Sequence, residues 1–302
     1  MSNETEISEK KEVTTSPVAK SVKSDEVVTI NIQPFLMPVS ILLSAMILSV
    51  GFIVGMNNLG TNLKGSASGT GTTTTTGTTT PPPPTPAGTT TNVTLDQIRG
   101  LWDNSAAITM GDKNSNLLLV EFSDTSCPYC HIAGGKNPEL NKSVGTQFTL
   151  VADGGTYVAP IPEFKKLVDE GKAGFAYVYA TGHGNGKLGN AALFCARDQG
   201  KFWEAHDLLM NSSGYSLLND TVKNDTANAG KLADFLKGVV DSSFMEDCLS
   251  SGKYTSNVDA GDQVASTFGV SGTPGMFVNT TNFAGAYSFT DMQSAVDAAL
   301  GV

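Results

Sequence analysis

The chain has 302 residues, a formal net charge of −10 and 40% hydrophobic residues. This length allows one large domain or two small ones. Nothing in the sequence resembles the basic patch or stripe by which proteins bind nucleic acid, so no nucleic-acid partner is expected.

The N-terminal residues predict a membrane anchor that stays attached. Residues 1–34 form a polar leader, and residues 35–56 are 22 mostly apolar residues without a charge. A membrane-spanning helix needs about 20 such residues. The alternative, a cleaved signal peptide, would have a shorter apolar core followed by a small-residue cleavage site. The leader carries four lysines, whereas the flanking residues 57–100 carry only Lys64 and Arg99, and this excess predicts a cytoplasmic N-terminus.

Residues 57–93 are rich in threonine, glycine and proline and contain almost no large apolar side chain. Such a segment cannot bury enough surface to offset the loss of chain entropy, so it is predicted to be a disordered linker. The folded domain is then expected at residues 94–302. Together these segments predict a single-pass protein of the cell membrane whose folded domain lies outside the cytoplasm.

The folded domain alternates between strand and helix patterns. A nearly continuous apolar run at 116–122 predicts a strand buried on both faces, and a second strand is predicted at 173–180. Helices are predicted at 92–102, 127–144, 161–170, 187–198, 201–211, 228–239, 242–250, 256–268 and 289–300, and further strands at 275–279 and 282–287. This order predicts an α/β fold with a helical insertion at about 185–268.

A Cys-Pro-Tyr-Cys motif, Cys127-Pro128-Tyr129-Cys130, follows the first strand and opens a helix. The first turn of a helix has free backbone N–H groups and a partial positive charge, and both favour a thiolate. Cysteines in such motifs have pKa values of roughly 3.5–7.5, and the thiolate is the attacking species in disulfide exchange. Pro128 suits a first turn because its missing N–H is not needed there.

Three other interpretations of the motif stay open. A zinc site needs four ligands, and Cys195 and Cys248 are too far apart in sequence to form a second close pair. The motif followed by His131 also matches the haem attachment site of a c-type cytochrome, although a buried strand leading into it disfavours haem. A Cys-x-x-Cys without chemistry would fit a non-catalytic interaction domain on a stalk. Neither a metal nor an organic cofactor is expected.

Three segments carry a resemblance to a known family: EFSDTSCPYC at 121–130, LFCARDQGKFWEAHDLL at 193–209 and FGVSGTPGMFVN at 268–279. Together they resemble DsbA-like thiol–disulfide oxidoreductases of the thioredoxin superfamily, from about residue 117 to the C-terminus. The resemblance implies a thioredoxin-like α/β fold with an inserted helical subdomain. It also implies that Cys127 is the nucleophile and Cys130 the resolving cysteine. Thr273-Pro274 would be a cis-proline that binds substrate beside them, although the Gly275 that follows is smaller than the family pattern.

Glu121 interrupts the apolar run six positions before Cys127, and a buried carboxylate is costly unless it is paired or functional. The resemblance implies that Glu121 assists proton transfer at the resolving cysteine. The alternative is that it lies at the exposed end of its strand. Asp124 is expected to cap the helix that follows.

The histidines and the other two cysteines give further predictions. His183 is expected on the surface and His206 in a packed position, whereas His131 either tunes the nucleophile or faces solvent. Cys195 and Cys248 are predicted to form a structural disulfide, since free buried thiols are poorly suited to an oxidising compartment. Residues 141–160 have no assigned role.

The predicted activity is thiol–disulfide exchange with cysteine pairs of extracytoplasmic proteins, in the direction of a disulfide-forming oxidase. A reductase or isomerase of the same fold is the alternative within the class. The resemblance implies a membrane redox partner of the DsbB or vitamin K epoxide reductase-like type, which would reoxidise the site.

Overall fold

The structure is a computed structural model and describes residues 89–90 and 92–302. The predicted leader and membrane span, and nearly all of the predicted linker, lie outside the described residues. Within the described part of the chain, no helix is both long and apolar enough to cross a membrane.

A mixed sheet forms the centre of the domain. Its strands are β1 (Thr89–Thr90), β2 (Ala107–Met110), β3 (Leu117–Ser123), β4 (Ala173–Tyr179), β5 (Gly275–Val278) and β6 (Thr281–Ala284). They lie in the order β1-β6-β5-β3-β4-β2, with β3 and β4 parallel and all other neighbours antiparallel. The predicted α/β fold class is therefore confirmed.

Helices surround this sheet. The α-helices are α1 (Leu95–Arg99), α2 (Pro128–Gly134), α3 (Pro138–Val144), α4 (Pro160–Asp169), α5 (Lys187–Asp198), α6 (Phe202–Leu209), α7 (Ser212–Ser216), α8 (Ala229–Leu236), α9 (Ser242–Ser250), α10 (Thr255–Thr267) and α11 (Phe289–Leu300). Short 3-10 turns occur at Gly100–Asp103, Thr146–Phe148, Val151–Asp153 and Thr226–Asn228, and a π-helical turn occurs at Leu217–Val222.

Strand β3 is buried along its whole length because helices cover both faces of the sheet. Leu117 and Leu119 point to the face that packs against α4, α5 and α11. Leu118 and Phe122 point to the other face, which packs against α1 and α10. Fully burying a side chain of this size contributes about 1.5–3 kcal/mol, so the strand is a fixed platform for whatever follows it.

The helices α5 to α10 lie between β4 and β5 in the chain, in the segment predicted as a helical insertion. Cys195 in α5 and Cys248 in α9 are joined by a disulfide, with their Cα atoms 6.2 Å apart. Both are buried among apolar side chains of the same subdomain. The disulfide therefore ties two helices that lie far apart in sequence.

The single helix predicted at 127–144 is two helices, and that prediction was wrong. Gly135 ends α2 with a left-handed backbone angle, φ 64°. A Cβ atom at this position would lie 2.5 Å from Cβ of Ala159, so a larger residue would collide. Asn137 then caps α3, whose first residue is Pro138. A left-handed glycine followed by a proline is a common way to end one helix and start another.

Candidate active site at the start of helix α2

Cys127 is the N-cap residue of α2, and Cys130 lies in the first turn. Both are free thiols. Cys127 is 5% exposed and Cys130 is 0% exposed. Tyr129 between them is 45% exposed. A reagent or protein thiol approaching from solvent can therefore reach Cys127 and cannot reach Cys130.

The loop before β5 forms the opposite wall of this site. The Thr273–Pro274 peptide bond is cis. Sγ of Cys127 lies 3.5 Å from the carbonyl oxygen of Thr273. The structure thus brings together residues that are 146 positions apart in sequence.

The two thiols differ in acidity. The pKa of Cys127 is lowered to about 6, mainly by a hydrogen bond from Cys130 and against the opposing effect of burial. The Thr273 side chain and the backbone N–H groups of Cys130 and Tyr129 make smaller contributions to this lowering. Burial raises the pKa of Cys130 well above its usual value, and negative charge on Cys127 and Glu121 adds to this. Near neutral pH one sulfur is therefore a thiolate while the other keeps its proton.

Glu121 lies in the middle of the sheet, between Tyr177 of β4 and Met276 of β5. It is fully buried, so the alternative of an exposed strand end is wrong. Neither carboxyl oxygen has a hydrogen-bond partner within normal distance in the described part of the chain. Burial raises the pKa of Glu121, and positive charge on His206 opposes this. A carboxyl group in this environment favours its protonated form and can serve as a proton donor.

Asp124 does not cap α2, because the N-cap position of that helix lies three residues further on. Its Oδ1 atom instead accepts hydrogen bonds from the backbone N–H and the hydroxyl of Ser126, at 2.8 and 2.7 Å. Its Oδ2 atom accepts from the backbone N–H groups of Gly182, His183 and Gly184, at 2.9, 2.9 and 3.2 Å. Asp124 therefore holds the glycine-rich loop at 181–186 against the site.

This loop is the part of the site that sequence reasoning missed. A Cβ atom built on Gly182 would lie 1.8 Å from the hydroxyl oxygen of Thr273 and 3.3 Å from Cβ of Cys127. Position 182 therefore needs a glycine so that the loop can approach the nucleophile. Alternating glycines at 182, 184 and 186 were the available signal.

Replacing Gly182 with alanine is expected to slow the reaction of Cys127 with a peptide disulfide by roughly 10-fold or more, because small displacements in a reactive site cost this much. Thr273→Ala removes the hydroxyl with which the new methyl group collides. The loss caused by Gly182→Ala should therefore be smaller when measured in the Thr273→Ala background. Equal losses in both backgrounds would show that the collision does not explain the effect. Stopped-flow kinetics of the four proteins provides the comparison.

His131 is buried, so the solvent-facing alternative is wrong. Its ring nitrogens lie 2.8 Å from the carbonyl oxygens of Met210 and Thr125. Burial lowers the pKa of His131 to about 4, although both carbonyls oppose this. The ring thereby ties α2 to the loop before it and to Met210, which packs against both cysteines of the motif. His183 is exposed, as expected.

A groove leads away from the cis-proline. One part, of about 220 Å³, is lined by the loop at 269–275 together with Asn282, Ala284 and Gly285. The adjoining part, of about 330 Å³, shares Ala284 and Gly285 with it and is bounded by Phe148 and Tyr157. These two aromatic residues belong to the segment at 141–160, which had no assigned role. The segment therefore forms one wall of a groove next to the nucleophile.

Comparisons with known proteins agree with the architecture. Residues 161–298 match the family model described as Thioredoxin.

Similar solved structures include a variant of alpha-DsbA1 from Wolbachia pipientis, with a TM-score of 0.50, 14% identity, and coverage of 69% of this chain and 96% of that one. BdbD from Bacillus subtilis has a TM-score of 0.45 and 17% identity, covering 64% and 92%. The thiol-disulfide exchange protein alpha-DsbA2 from Wolbachia pipientis has a TM-score of 0.45 and 17% identity, covering 68% and 92%. The match to the family model shows that the chain contains a thioredoxin-like domain.

One curated protein is similar in sequence, the Na(+)/H(+) antiporter NhaA 3 of Salinispora tropica. The match has 27% identity over 186 residues, which are 62% of this chain. The matched region spans only 24% of the antiporter's length.

Proposed function

We propose that this chain catalyses thiol–disulfide exchange with cysteine pairs of other proteins, in the direction of a disulfide-forming oxidase. The observation that carries the proposal is the opposite ionisation of two cysteines in one helical turn. Cys127, with a pKa of about 6, is a nucleophile and a good leaving group. Cys130, whose pKa is well above its usual value, keeps its proton.

In the oxidised protein, a substrate thiolate would attack Sγ of Cys127. The bond between Cys127 and Cys130 breaks, its electron pair stays on Cys130, and a mixed disulfide forms between Cys127 and the substrate. A second substrate thiolate then attacks the substrate sulfur of that mixed disulfide, and Cys127 leaves as a thiolate. The substrate loses two electrons and gains a disulfide, while the protein ends in the dithiol form. In this proposal Glu121 protonates Cys130 in the first step.

The surroundings of Cys127 suit an extended polypeptide. The backbone at the cis Thr273–Pro274 bond lies beside the nucleophile. Pairing of a substrate strand with exposed backbone gives affinity without sequence preference, and adjacent pockets then select side chains. The groove bounded by Phe148 and Tyr157 is such a pocket. Protein substrates with cysteine pairs are the partners that fit it.

The proposed setting is the extracytoplasmic side of the cell membrane, with residues 35–56 as a single-pass anchor. The charge pattern of the N-terminal residues supports this orientation. The disulfide between Cys195 and Cys248 also suits an oxidising compartment. A membrane redox partner of the DsbB or vitamin K epoxide reductase-like type would then take up the two electrons. This part of the proposal rests on the sequence and on family resemblance.

One alternative from another class is disfavoured by a specific contact. In a c-type cytochrome the histidine after the motif would have to be free to bind haem iron. Both ring nitrogens of His131 instead lie 2.8 Å from backbone carbonyl oxygens in the core.

The direction of exchange can be tested on the full chain by equilibration with glutathione and by oxidative refolding of a reduced substrate protein. We expect a reduction potential above the roughly −270 mV of thioredoxin, and catalysed formation of substrate disulfides. Cys127→Ser should abolish catalysis, and Cys130→Ser should accumulate mixed disulfides with the substrate. A potential at or below that of thioredoxin would favour the reductase instead. No exchange in either direction would leave only the non-catalytic interaction domain.

A further inference from the structure

Beneath helix α2 the core contains a further buried polar side chain without a hydrogen-bond partner among the described residues. His206 of α6 is 1% exposed, and neither of its ring nitrogens has a hydrogen-bond partner among the described residues. The same is true of both carboxyl oxygens of Glu121 and of the hydroxyl of Ser123. Leaving such a group unsatisfied costs about 1–3 kcal/mol, so a cluster of them indicates a role other than packing.

His206 and Glu121 are neighbours in this core. The His206 ring lies edge-on to the ring of Tyr177, with centroids 6.1 Å apart. Tyr177 is the cross-strand neighbour of Glu121. On the side of α2, a Cβ atom on Gly134 would lie 3.9 Å from Cε1 of His206. His206 therefore lies beneath the helix that carries Cys130 and beside the carboxyl group that serves it.

His206 also connects this core to the surface. Its Nδ1 atom lies 3.7 Å from Oδ1 of Asp207. The Asp207 side chain is 36% exposed, and its other oxygen lies 2.7 Å from Nζ of Lys136. Glu121 and Cys130 are fully buried. Asp207 is thus a carboxylate with access to water at the outer end of this row of groups.

We propose that His206 carries protons between Glu121 and solvent, with a water molecule bridging Glu121 to His206 and with Asp207 at the exit. The proposal rests on the proposed function and deepens it. A buried water typically makes two to four hydrogen bonds. The unpartnered atoms of Glu121, Ser123 and His206 supply that many.

The need for this proton relay, from solvent through His206 to Glu121, follows from the chemistry at Cys130. When the bond between Cys127 and Cys130 breaks, the electron pair remains on a sulfur that is sealed from water. Glu121 donates its proton to that thiolate, and His206 passes a proton to Glu121 through the bridging water. His206 then takes a proton from solvent along Asp207. When the dithiol is reoxidised, the proton leaves by the same route.

The other ionisable groups that face His206 do not provide this path. Tyr177 donates its hydroxyl proton to Asn190, at 2.6 Å. Both nitrogens of His131 lie against backbone carbonyls. Proton transfer by a positioned side chain typically accelerates a reaction by about 10²–10⁴-fold, which is enough to measure.

The test compares Glu121→Gln, His206→Phe and the double variant in the full chain. Phenylalanine suits the aromatic surroundings, since the His206 ring stacks on Phe202 with centroids 5.7 Å apart. It also removes the unpartnered nitrogens, so the free energy of unfolding should be unchanged or higher. Trp203→Phe, in the same aromatic cluster but outside the relay, is the matched control and should keep the wild-type rate.

The rate to measure is a single turnover in which a peptide dithiol reduces the oxidised protein, because Cys130 is the leaving group in that step. Each single variant should slow it by about 10-fold or more, and the double variant should be no slower than Glu121→Gln, since one path is interrupted twice. A wild-type rate in His206→Phe, or multiplicative losses in the double variant, would overturn the relay while leaving the exchange function intact. A wild-type protein without exchange activity would overturn both.

Discussion

Alkylation of the reduced full-length protein is expected to titrate with a pKa of about 6 and to modify Cys127 alone. The physical reason is that the thiolate of Cys127 accepts a hydrogen bond from the thiol of Cys130, with further donors from Thr273 and from the first turn of α2. Cys130 is sealed from solvent and should react only after unfolding. Mass spectrometry after timed alkylation across a pH series measures both rates.

Two variants separate the contributions of the two cysteines to the alkylation profile. Cys130→Ala removes the hydrogen bond that lowers the pKa of Cys127 most, so this pKa should rise towards the roughly 8.5 of a free thiol. Cys127→Ala should show no rapid alkylation at any pH at which the protein stays folded. A wild-type profile centred near 8.5 would refute the thiolate at neutral pH, and with it the oxidase.

The same pKa fixes how the reduction potential depends on pH. The pKa of Cys127 is lower in the folded reduced protein than in the unfolded chain, so the stabilisation from the thiolate is lost as the pH falls through about 6. At pH 7, one unit above that pKa, the thiolate favours the reduced form by about 1.4 kcal/mol, or about 30 mV. Below pH 6 the reduction potential should fall by about 59 mV for each unit by which the pH rises, because two protons are taken up with two electrons. Above pH 6 it should fall by about 30 mV per unit, and a single slope throughout would contradict the assignment.

The sequence alone predicted those strands and helices whose formation follows from a local pattern of residues. Strands β3 and β4 were visible because both are continuous apolar runs, as strands covered on both faces must be. The Cys-Pro-Tyr-Cys motif could be placed at a helix start because proline suits a first turn and a strand precedes it. The four-residue edge strand β2 and the five-residue helix α7 were not predicted, since neither has enough residues to show a period.

The remainder of the site depends on contacts between distant segments. Nothing near Asp124 in sequence shows that it binds a loop 58 to 60 positions away. Glu121 and His131 each left two interpretations open, because strand and helix patterns do not reveal which polar side chain is sealed. In both cases the observed burial decides, and that burial depends on the packing of the whole domain.

Removing the disulfide between Cys195 and Cys248 is expected to lower the free energy of unfolding by about 4 kcal/mol, since the bond closes a loop with a sequence separation of 53. Total stabilities are roughly 5–15 kcal/mol, so this loss should greatly reduce the urea midpoint. The variant to use is Cys195→Ala/Cys248→Ala, because a single replacement leaves a thiol that can attack the active-site pair.

The reactivity of Cys127 distinguishes a purely structural bond from a functional one. The disulfide joins α5 to α9, whereas Cys127 lies at the start of α2. The double variant should therefore keep the alkylation pKa of about 6 while it is folded. The loss of stability should appear first in the helical subdomain. Amide hydrogen exchange in α5 and α9 should therefore accelerate more than exchange in β3. Faster exchange spread equally over the sheet would show that subdomain and sheet unfold as one cooperative unit.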